Sequence, residues 1–443
     1  MRSQRTQRTA SGARSGKVFV LFGLLLPVIF GMVGLTVDGG LMMATHVQAQ
    51  SAADAGATAA AMDLLHGQSA ATAGTTATTF VQQYNGLPNA TVTVNIPPTE
   101  GAHVGNSQYA EVFVTAPVKT TFIPILGVNS TQNVQARAVA GYEPVTMGEG
   151  IMSLDPNGNP GLSISGGGNG GGLSVNGNVF VNGSGASAIQ LNGSHADIQA
   201  QVVDVVGGVN NPSNILPYSG SGPSPLQTGM LPQPDPLANL PTPASGMAGV
   251  NLTVNPAPTG NAFNPGIYTN SISINNGTWT FNPGVYILQG ASLTINGGST
   301  SVTGNGVMFY TTGSNYNPSS PPDANDGQGP PPSPIPGNPT FGSININGTG
   351  VSFTGLNNSS SPFNGMLFYQ RRWDTNQISI SGVGNNSLNG TIYAKWANFN
   401  LSGNGNFGAQ VITGTVSLSG NGNITLNYSG KNLGKGNEVF LVE

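Results

Sequence analysis

The first hydrophobic pattern along the chain is a continuous one. Residues 18–37 form an apolar run without a charged residue, and as a helix such a run is long enough to cross about 30 Å of hydrocarbon. Residues 38–67 are rich in Ala, the strongest helix former, so we expect the helix to continue beyond the membrane despite Gly39, Gly40 and Gly56. The pattern predicts a transmembrane helix with an Ala-rich helical extension that ends at Gly67.

A second pattern, alternation of apolar and polar residues, recurs between residues 79 and 144. Segments 90–96, 109–116 and 134–142 alternate in the way that half-buried strands do. Segment 120–127 is interpreted as a short helix or turn. These elements predict a small α+β region that follows the membrane helix as a spacer.

The third pattern, between residues 151 and 430, is a repeat of short apolar runs that follow glycines. The spacings between successive glycines are 18 and 22 residues in one group and 25 and 18 in another. These glycines are Gly266, Gly284 and Gly306 in the first group and Gly365, Gly390 and Gly408 in the second. Regular spacing of this kind is typical of rungs that stack in a solenoid, and we therefore favour a parallel β-helix.

The alternative for this mainly β domain is an antiparallel β-sandwich, because Asn-Gly between apolar runs is also a strong hairpin signal. Asn and Gly at corners nevertheless suit stacked rungs, since both tolerate left-handed backbone angles and Asn side chains can form ladders. The hexapeptide LSGNGN occurs twice, at Leu401 and Leu418. On the β-helix interpretation these are consecutive coils with an inward row of Leu401, Val411, Val416, Leu418, Ile424 and Leu426.

Two Pro-rich inserts interrupt the repeat, at residues 210–245 and 317–339. Proline lacks the N–H that a central strand needs, so both inserts are predicted to be loops on one side of the domain. Residues 431–443 are predicted to be a C-terminal cap on the last rung, or a tail.

Charge is concentrated at the N-terminus. Five of the twelve basic residues lie in segment 1–17, before the apolar run. Basic residues on one side of a span place that side in the cytoplasm, so the bulk of the chain is expected to be extracytoplasmic. A cleaved signal peptide is the alternative, although its apolar region is usually about 7–15 residues long.

The N-terminal segment also resembles a known family. Gly16, an apolar span with a central Pro27, then Val37-Asp38-Gly39 and Gln50-Ser-Ala-Ala-Asp-Ala55 resemble the start of TadG-like proteins of the bacterial tight-adherence (Flp pilus) system. The resemblance covers about sixty residues and implies a bacterial inner-membrane protein linked to pilus assembly. Pilin-like relatives cut by prepilin peptidase carry Glu five residues after the cleavage-site glycine, where this chain has Leu21, so processing into a pilin subunit is not expected.

Composition excludes some functions. Cys is absent and the net charge is −4, which is opposite to the basic face that nucleic-acid binding needs. Hydrolysis of a polysaccharide needs two carboxylates about 5–10 Å apart. The seven Asp residues of the repeat region place no two on neighbouring rungs outside the inserts. We predict no catalytic residue, cofactor or metal site.

Two local clusters contain residue types that occur in functional sites. In Ser194-His195-Ala-Asp197, the serine of a strand would point away from the histidine, which argues against catalysis. In Arg371-Arg372-Trp373-Asp374, Arg forks and an indole could contact a glycan or a carboxylate, whereas a surface loop with internally paired charges is the alternative. This second cluster is the one predicted ligand contact.

The sequence therefore predicts a single-pass inner-membrane protein with an extracytoplasmic β-rich domain in a structural or adhesive role. Expected partners are the membrane and, more loosely, other pilus-assembly proteins and glycans or cell surfaces. The alternatives are a polysaccharide-active enzyme on a β-helix and a secreted adhesin with a cleaved signal peptide.

Overall fold

The computed structural model describes residues 15–66, 68–145, 147–166, 172–218, 220–381, 386–420 and 424–443. The basic segment up to residue 14 and the last three residues of the second LSGNGN copy lie outside the described residues. The chain divides into two compact units, residues 1–143 with 437–443 and residues 144–436. Each unit is described by itself below.

Helices are few and all of the longer ones lie in unit 1. They are α1 (Ser15–Leu65), α2 (Ala70–Thr79) and a π-helical turn, Phe80–Tyr84, that continues α2. Single 3-10 turns are formed by Ile123–Leu126 in unit 1 and by Pro212–Asn214 and Pro322–Asn325 in unit 2. The long apolar N-terminal helix predicted from the sequence is confirmed.

The described residues outside the helices form strands joined by turns and loops. In order they are β1 (Thr91–Asn95), β2 (Tyr109–Lys119), β3 (Thr131–Val145), β4 (Glu149–Ser153), β5 (Leu162–Gly166), β6 (Leu173–Val175), β7 (Asn178–Val181), β8 (Ile189–Asn192), β9 (Ile198–Ala200), β10 (Val202–Val205), β11 (Ile215–Pro217), β12 (Leu226–Thr228), β13 (Ala262–Phe263), β14 (Gly266–Tyr268), β15 (Ile272–Ile274), β16 (Gly277–Phe281), β17 (Gly284–Gln289), β18 (Leu293–Ile295), β19 (Thr300–Asn305), β20 (Val307–Thr312), β21 (Ile344–Ile346), β22 (Val351–Thr354), β23 (Met366–Gln370), β24 (Ile378–Ser381), β25 (Ser387–Ser402), β26 (Gly405–Gly420), β27 (Ile424–Leu426) and β28 (Gly436–Leu441).

Unit 1 packs helices against a four-stranded sheet in the order β1-β2-β3-β28. The buried face of α1 is a stripe of small residues, and it lies against α2 and β2. Small side chains let the helix approach closely: a Cβ on Gly56 would lie 3.0 Å from Val81 Cγ2 and 3.2 Å from the Ala77 carbonyl oxygen. The stripe consists of Ala49, Ala52, Ala53, Ala57, Ala60 and Ala61, all of which lie in the Ala-rich extension of residues 38–67.

The C-terminal residues belong to the sheet of unit 1, which differs from the predicted cap on the last rung of the repeat. Residues 437–443 group with unit 1, where Val442 N–H donates to Val139 O and Val139 N–H donates to Glu443 O, at 2.9 and 2.8 Å. The edge of β3 supplies unpaired backbone groups that β28 satisfies. Because unit 2 lies between β3 and β28 in sequence, it is inserted within unit 1.

Unit 2 is a mainly β domain with parallel strand pairing, which confirms the mainly β domain predicted from the sequence. From β14 to β22, each strand pairs with the strand three places later. The repeated glycines lie one or two positions away from exact register. Gly284 is opposite Val307, the residue after Gly306, and Gly390 is opposite Ala409, the residue after Gly408. Gly266 is opposite Tyr286, two residues after Gly284. The row predicted to point inward is buried at 1 to 4 % exposure within one continuous apolar core.

The order of stacking is not the order of the sequence. Strand β26 pairs on one side with β25 and on the other with β4 and β5, and β27 pairs with β6. In the stack, β4–β6 thus lie between β26 and β27 on one side and β7–β9 on the other. Residues 229–261, most of which form no strand, connect β12 to β13, which starts the other side of the stack.

Candidate functional site

One ladder of parallel strands is apolar on both of its faces. Inward residues such as Phe309 and Phe368 are in register, and their outward neighbours Tyr310 and Tyr369 are in register too. Buried parallel strands read as continuous apolar runs for this reason. The outward residues form the covered column: Ile287, Tyr310, Tyr369, Tyr393, Ile412, Met152 and Phe180.

The two Pro-rich inserts provide the cover. Leu237 and Leu240 of the first insert pack in the same apolar cluster as the covered column. The inserts also bond to each other, through Ser245 N–H to Pro318 O at 2.8 Å and Gln328 Nε2 to Ala238 O at 3.1 Å. Residues 237–245 of the first predicted loop and residues 318–328 of the second therefore lie over one ladder of the domain. Earlier in the first segment, residues 215–217 and 226–228 instead form β11 and β12, which pair with β9 and β10, so the prediction of a loop is wrong there.

Arg371 connects the second insert to the ladder. Its guanidinium donates to both carboxylate oxygens of Asp326, at 2.7 and 2.9 Å, and it lies 3.1 Å from Asp323 Oδ1. Burial raises the pKa of Asp326, and the Arg371 charge opposes that rise. A bidentate pair of this kind combines charge with fixed geometry.

Arg372 connects the first insert to the ladder. Its Nη2 donates to three backbone oxygens of that insert at 3.2, 2.7 and 2.9 Å, namely those of Leu237, Ala238 and Leu240. Asp235 of the same insert accepts from Tyr393 Oη at 2.7 Å and from Lys395 Nζ at 3.2 Å. Burial lowers the pKa of Lys395, although Asp235 opposes the shift.

The predicted ligand contact at residues 371–374 is thus buried beneath the inserts. Arg371, Arg372 and Asp374 are 2, 6 and 1 % exposed, and Trp373 is half-buried. The arginines pair with acids and carbonyls of the inserts rather than with Asp374, which differs from the alternative of a surface loop with internally paired charges. The contact with a ligand stays an untested prediction that this geometry does not favour.

Asp374 is a separate feature of the cluster. Its Oδ1 accepts from the Asn376 backbone N–H at 2.9 Å, and its Oδ2 is buried without a hydrogen-bond partner among the described residues. Burial raises the pKa of this carboxyl to about 8, against smaller lowering effects of the Asn376 N–H and the Arg371 charge. A neutral carboxyl at this position avoids the cost of a buried charge.

A second ladder presents an open, uncharged surface. Its outward residues occupy one register column, which we call the polar column: Ser273, Thr294, Asn345, Ser379, Asn400, Ser417, Ser163 and Gln190. All eight are half-buried or exposed and none carries a charge. Neighbouring strands lie about 4.8 Å apart, so the column is a regular row of hydroxyl and amide groups.

Side-chain ladders at the adjoining corner hold this surface in shape. Asn347 Nδ2 donates to Asn296 Oδ1 at 3.3 Å, and Asn296 Nδ2 donates to Asn275 Oδ1 at 3.2 Å. Ser381 Oγ extends the row by donating to Asn347 Oδ1 at 2.5 Å. The Asn ladder expected from the sequence is confirmed at this corner.

The Ser194 side chain does not point away from His195 as expected for a strand. Ser194 Oγ and His195 Nδ1 are 3.0 Å apart, but both side chains are exposed and Asp197 Oδ2 accepts from Gln199 Nε2 at 3.4 Å instead of from the imidazole. Across the described ranges, no three His, Asp or Glu side chains converge as metal ligands.

Helix α1 carries the other candidate surface. Large apolar side chains of residues 19–37 are 40 to 81 % exposed, which is unusual for a helix in water. Within the described part of the chain, α1 is the one helix long and apolar enough to cross a membrane. Beyond residue 37 its buried stripe of small residues faces the sheet of unit 1.

The family comparison matches this same helix. A family model described as putative Flp pilus-assembly TadE/G-like matches residues 16–63, which confirms the resemblance of the N-terminal segment. The match covers 48 of the 443 residues, and the apolar helix in it fits membrane anchoring. Neither the comparison with curated proteins nor that with solved structures finds a match.

Proposed function

We propose that this chain is a single-pass bacterial inner-membrane protein whose bulk lies outside the cytoplasm in a structural or adhesive role in tight-adherence pilus assembly. The observation that carries the proposal is the coincidence of the exposed apolar stretch of α1 with the TadE/G-like match. The basic residues before the span support a cytoplasmic N-terminus. Other pilus-assembly proteins are the partners that the family match supports.

We further infer that unit 2 is a parallel β-helix rather than an antiparallel sandwich. The parallel pairing of each strand from β14 to β22 with the third strand after it supports this inference. A solenoid of this kind offers long, straight columns of identical spacing. A structural role suits such a scaffold.

The polar column suits the adhesive part of the role. Hydroxyl and amide groups both donate and accept hydrogen bonds, and a neutral polysaccharide presents the same groups at a regular repeat. An enzymatic alternative gains no support, because Asp323 and Asp326, the acids of the second insert that Arg371 brings together, are buried and paired with its guanidinium.

Protease accessibility in spheroplasts tests the anchored arrangement. The full chain, expressed in a Gram-negative host, should keep its intact N-terminus in the inner membrane while external protease digests unit 2. A mature N-terminus beyond residue 37 with release into the medium would instead establish the secreted adhesin.

Binding of the full chain in detergent micelles to neutral polysaccharides tests the adhesive part. Asn345→Glu with Asn400→Glu should abolish binding by placing charge on the polar column. Thr303→Glu, an exposed change on a different ladder, is the matched control and should bind normally. Equal binding by both variants would exclude the polar column as the contact surface.

A further inference from the structure

A buried face of α1 begins before the apolar run ends. Gly34 and Asp38 are buried, whereas the described residues between them, 35–37, are exposed. Residues four apart lie on the same side of a helix. One side of the last turn of the apolar stretch is therefore covered by another part of unit 1.

The cover is the loop that follows β2. Asp38 accepts hydrogen bonds from three successive backbone N–H groups, those of Thr121, Phe122 and Ile123, at 3.0, 2.8 and 2.7 Å. A Cβ on Gly34 would overlap the Phe122 side chain, so the missing side chain at Gly34 provides the space for Phe122. Residues 121–128 are thereby fixed beside α1 at the level of residues 34–38.

The composition of this loop suits a membrane surface. Residues 121–128, Thr-Phe-Ile-Pro-Ile-Leu-Gly-Val, carry no charge, and Val128 is 47 % exposed. Lys119, exposed at the end of β2 just before the loop, can extend its ammonium group to lipid phosphates. An apolar loop flanked by a basic residue is the pattern of an interfacial contact.

We propose that residues 121–128 insert into the outer boundary of the bilayer that α1 crosses, as a second membrane contact of unit 1. At about 1.5 Å per residue, Gly34 lies roughly 5 Å before the end of the apolar run, so Phe122 lies at that depth. Asp38 fixes the loop to the helix and thereby sets its depth. The proposal rests on the membrane anchoring of α1 proposed above.

Single spin labels test the proposal, because the chain has no native Cys. The full chain is reconstituted in phosphatidylethanolamine and phosphatidylglycerol vesicles with a label at Met32→Cys, Val128→Cys or Tyr84→Cys. Met32 is 69 % and Tyr84 is 73 % exposed. Tyr84 adjoins Asn85, whose carbonyl accepts from Gln48 Nε2, about 15 Å beyond Asp38 along the helix, so it serves as the aqueous control.

Collision rates with oxygen and with a water-soluble nickel chelate distinguish the outcomes. We expect the labels at 32 and 128 to be several-fold less accessible to nickel than the label at 84, and Asp38→Ala to return only the label at 128 to water. A label at 128 as accessible as that at 84, with the label at 32 in lipid, overturns the proposal and leaves the anchor intact. A label at 32 in water overturns the anchor and the proposal together.

Discussion

Ser153 Oγ donates a hydrogen bond of 2.9 Å to the carbonyl of Gly414, a residue 261 positions further along the chain. The bond joins the first strand of unit 2 to its last long strand, and the backbone ladder beside it pairs Val411 with Ile151. Both ends of the inserted unit thus meet in the middle of its stack.

Disulfide formation tests this closure. Ser163 and Ser417 are partners in the polar column, and adjacent parallel strands place Cα atoms about 4.8 Å apart, within the range that a disulfide bridges. The double variant Ser163→Cys, Ser417→Cys should form an intramolecular disulfide on mild oxidation, seen as a shift in non-reducing electrophoresis.

Ser163→Cys with Asn345→Cys is the matched control. These residues are four strands apart in the same column, roughly 19 Å at that spacing, and should not cross-link. If the control pair forms the disulfide and the adjacent pair does not, the stacking order is wrong.

The ion pairs between Arg371 and the second insert make a second prediction, on stability. Arg371→Met leaves the buried carboxylates of Asp323 and Asp326 without their counter-charge. We expect the free energy of unfolding of unit 2 to fall by about 3–5 kcal/mol, since an unpaired buried charge is costly. The three Trp residues all lie in unit 2, so guanidinium unfolding followed by Trp fluorescence in detergent reports on that unit.

Two variants separate pairing from other effects. Lys435→Met changes an exposed charge of unit 2 and should shift stability by less than about 0.5 kcal/mol. Arg371→Met with Asp323→Asn and Asp326→Asn should regain much of the loss, because replacing a whole buried ionic group is tolerated better than breaking it. A triple variant no more stable than Arg371→Met would contradict the charge argument.

The sequence was informative where local pattern decides structure. The apolar run of residues 18–37 and the spaced glycines predicted the long helix and the repeated strands, because period and turn residues are local properties. The order in which the strands stack depends instead on contacts between residues that are far apart in the sequence. No feature of the β4 sequence indicates that this strand pairs with β26. That pairing depends on residues 229–261, which carry the chain from β12 to β13 at the other side of the stack.

The burial of residues 371–374 could not be predicted from their own sequence for a related reason. Four polar or aromatic residues in a row resemble an exposed loop, and their burial depends on an insert whose acid Asp326 lies 45 residues upstream of Arg371. One signal was available: Met366–Gln370 is apolar at consecutive positions before it ends in Gln, and all five residues are buried. A run without alternation indicates a strand that is covered on both faces.

Asp374 predicts a pH dependence of opposite sign to ordinary acid denaturation. Its folded-state pKa is raised to about 8 from an ordinary value of 3.8, so between these values the unfolded chain loses this proton while the folded chain keeps it. Stability from this group is full below about pH 4 and is lost as the pH rises through 8. We expect the free energy of unfolding to fall less between pH 5 and pH 8 in Asp374→Asn than in the native chain. Trp-monitored unfolding at each pH measures this difference. Parallel pH profiles for both chains would contradict this assignment.

Close packing at Gly56 makes the last prediction, on unit 1. Gly56→Val places methyl groups where a Cβ already lies 3.2 Å from the Ala77 carbonyl oxygen, and overpacking typically costs about 1–3 kcal/mol. Gly74→Ala is the matched control on α2, because a Cβ there meets Val94 only at 3.9 Å and the helix gains propensity. Hydrogen exchange of the peptide covering α2 should accelerate in Gly56→Val and slow or stay unchanged in Gly74→Ala. Unchanged exchange in Gly56→Val would mean that the small-residue stripe is not required for α1 to pack on α2.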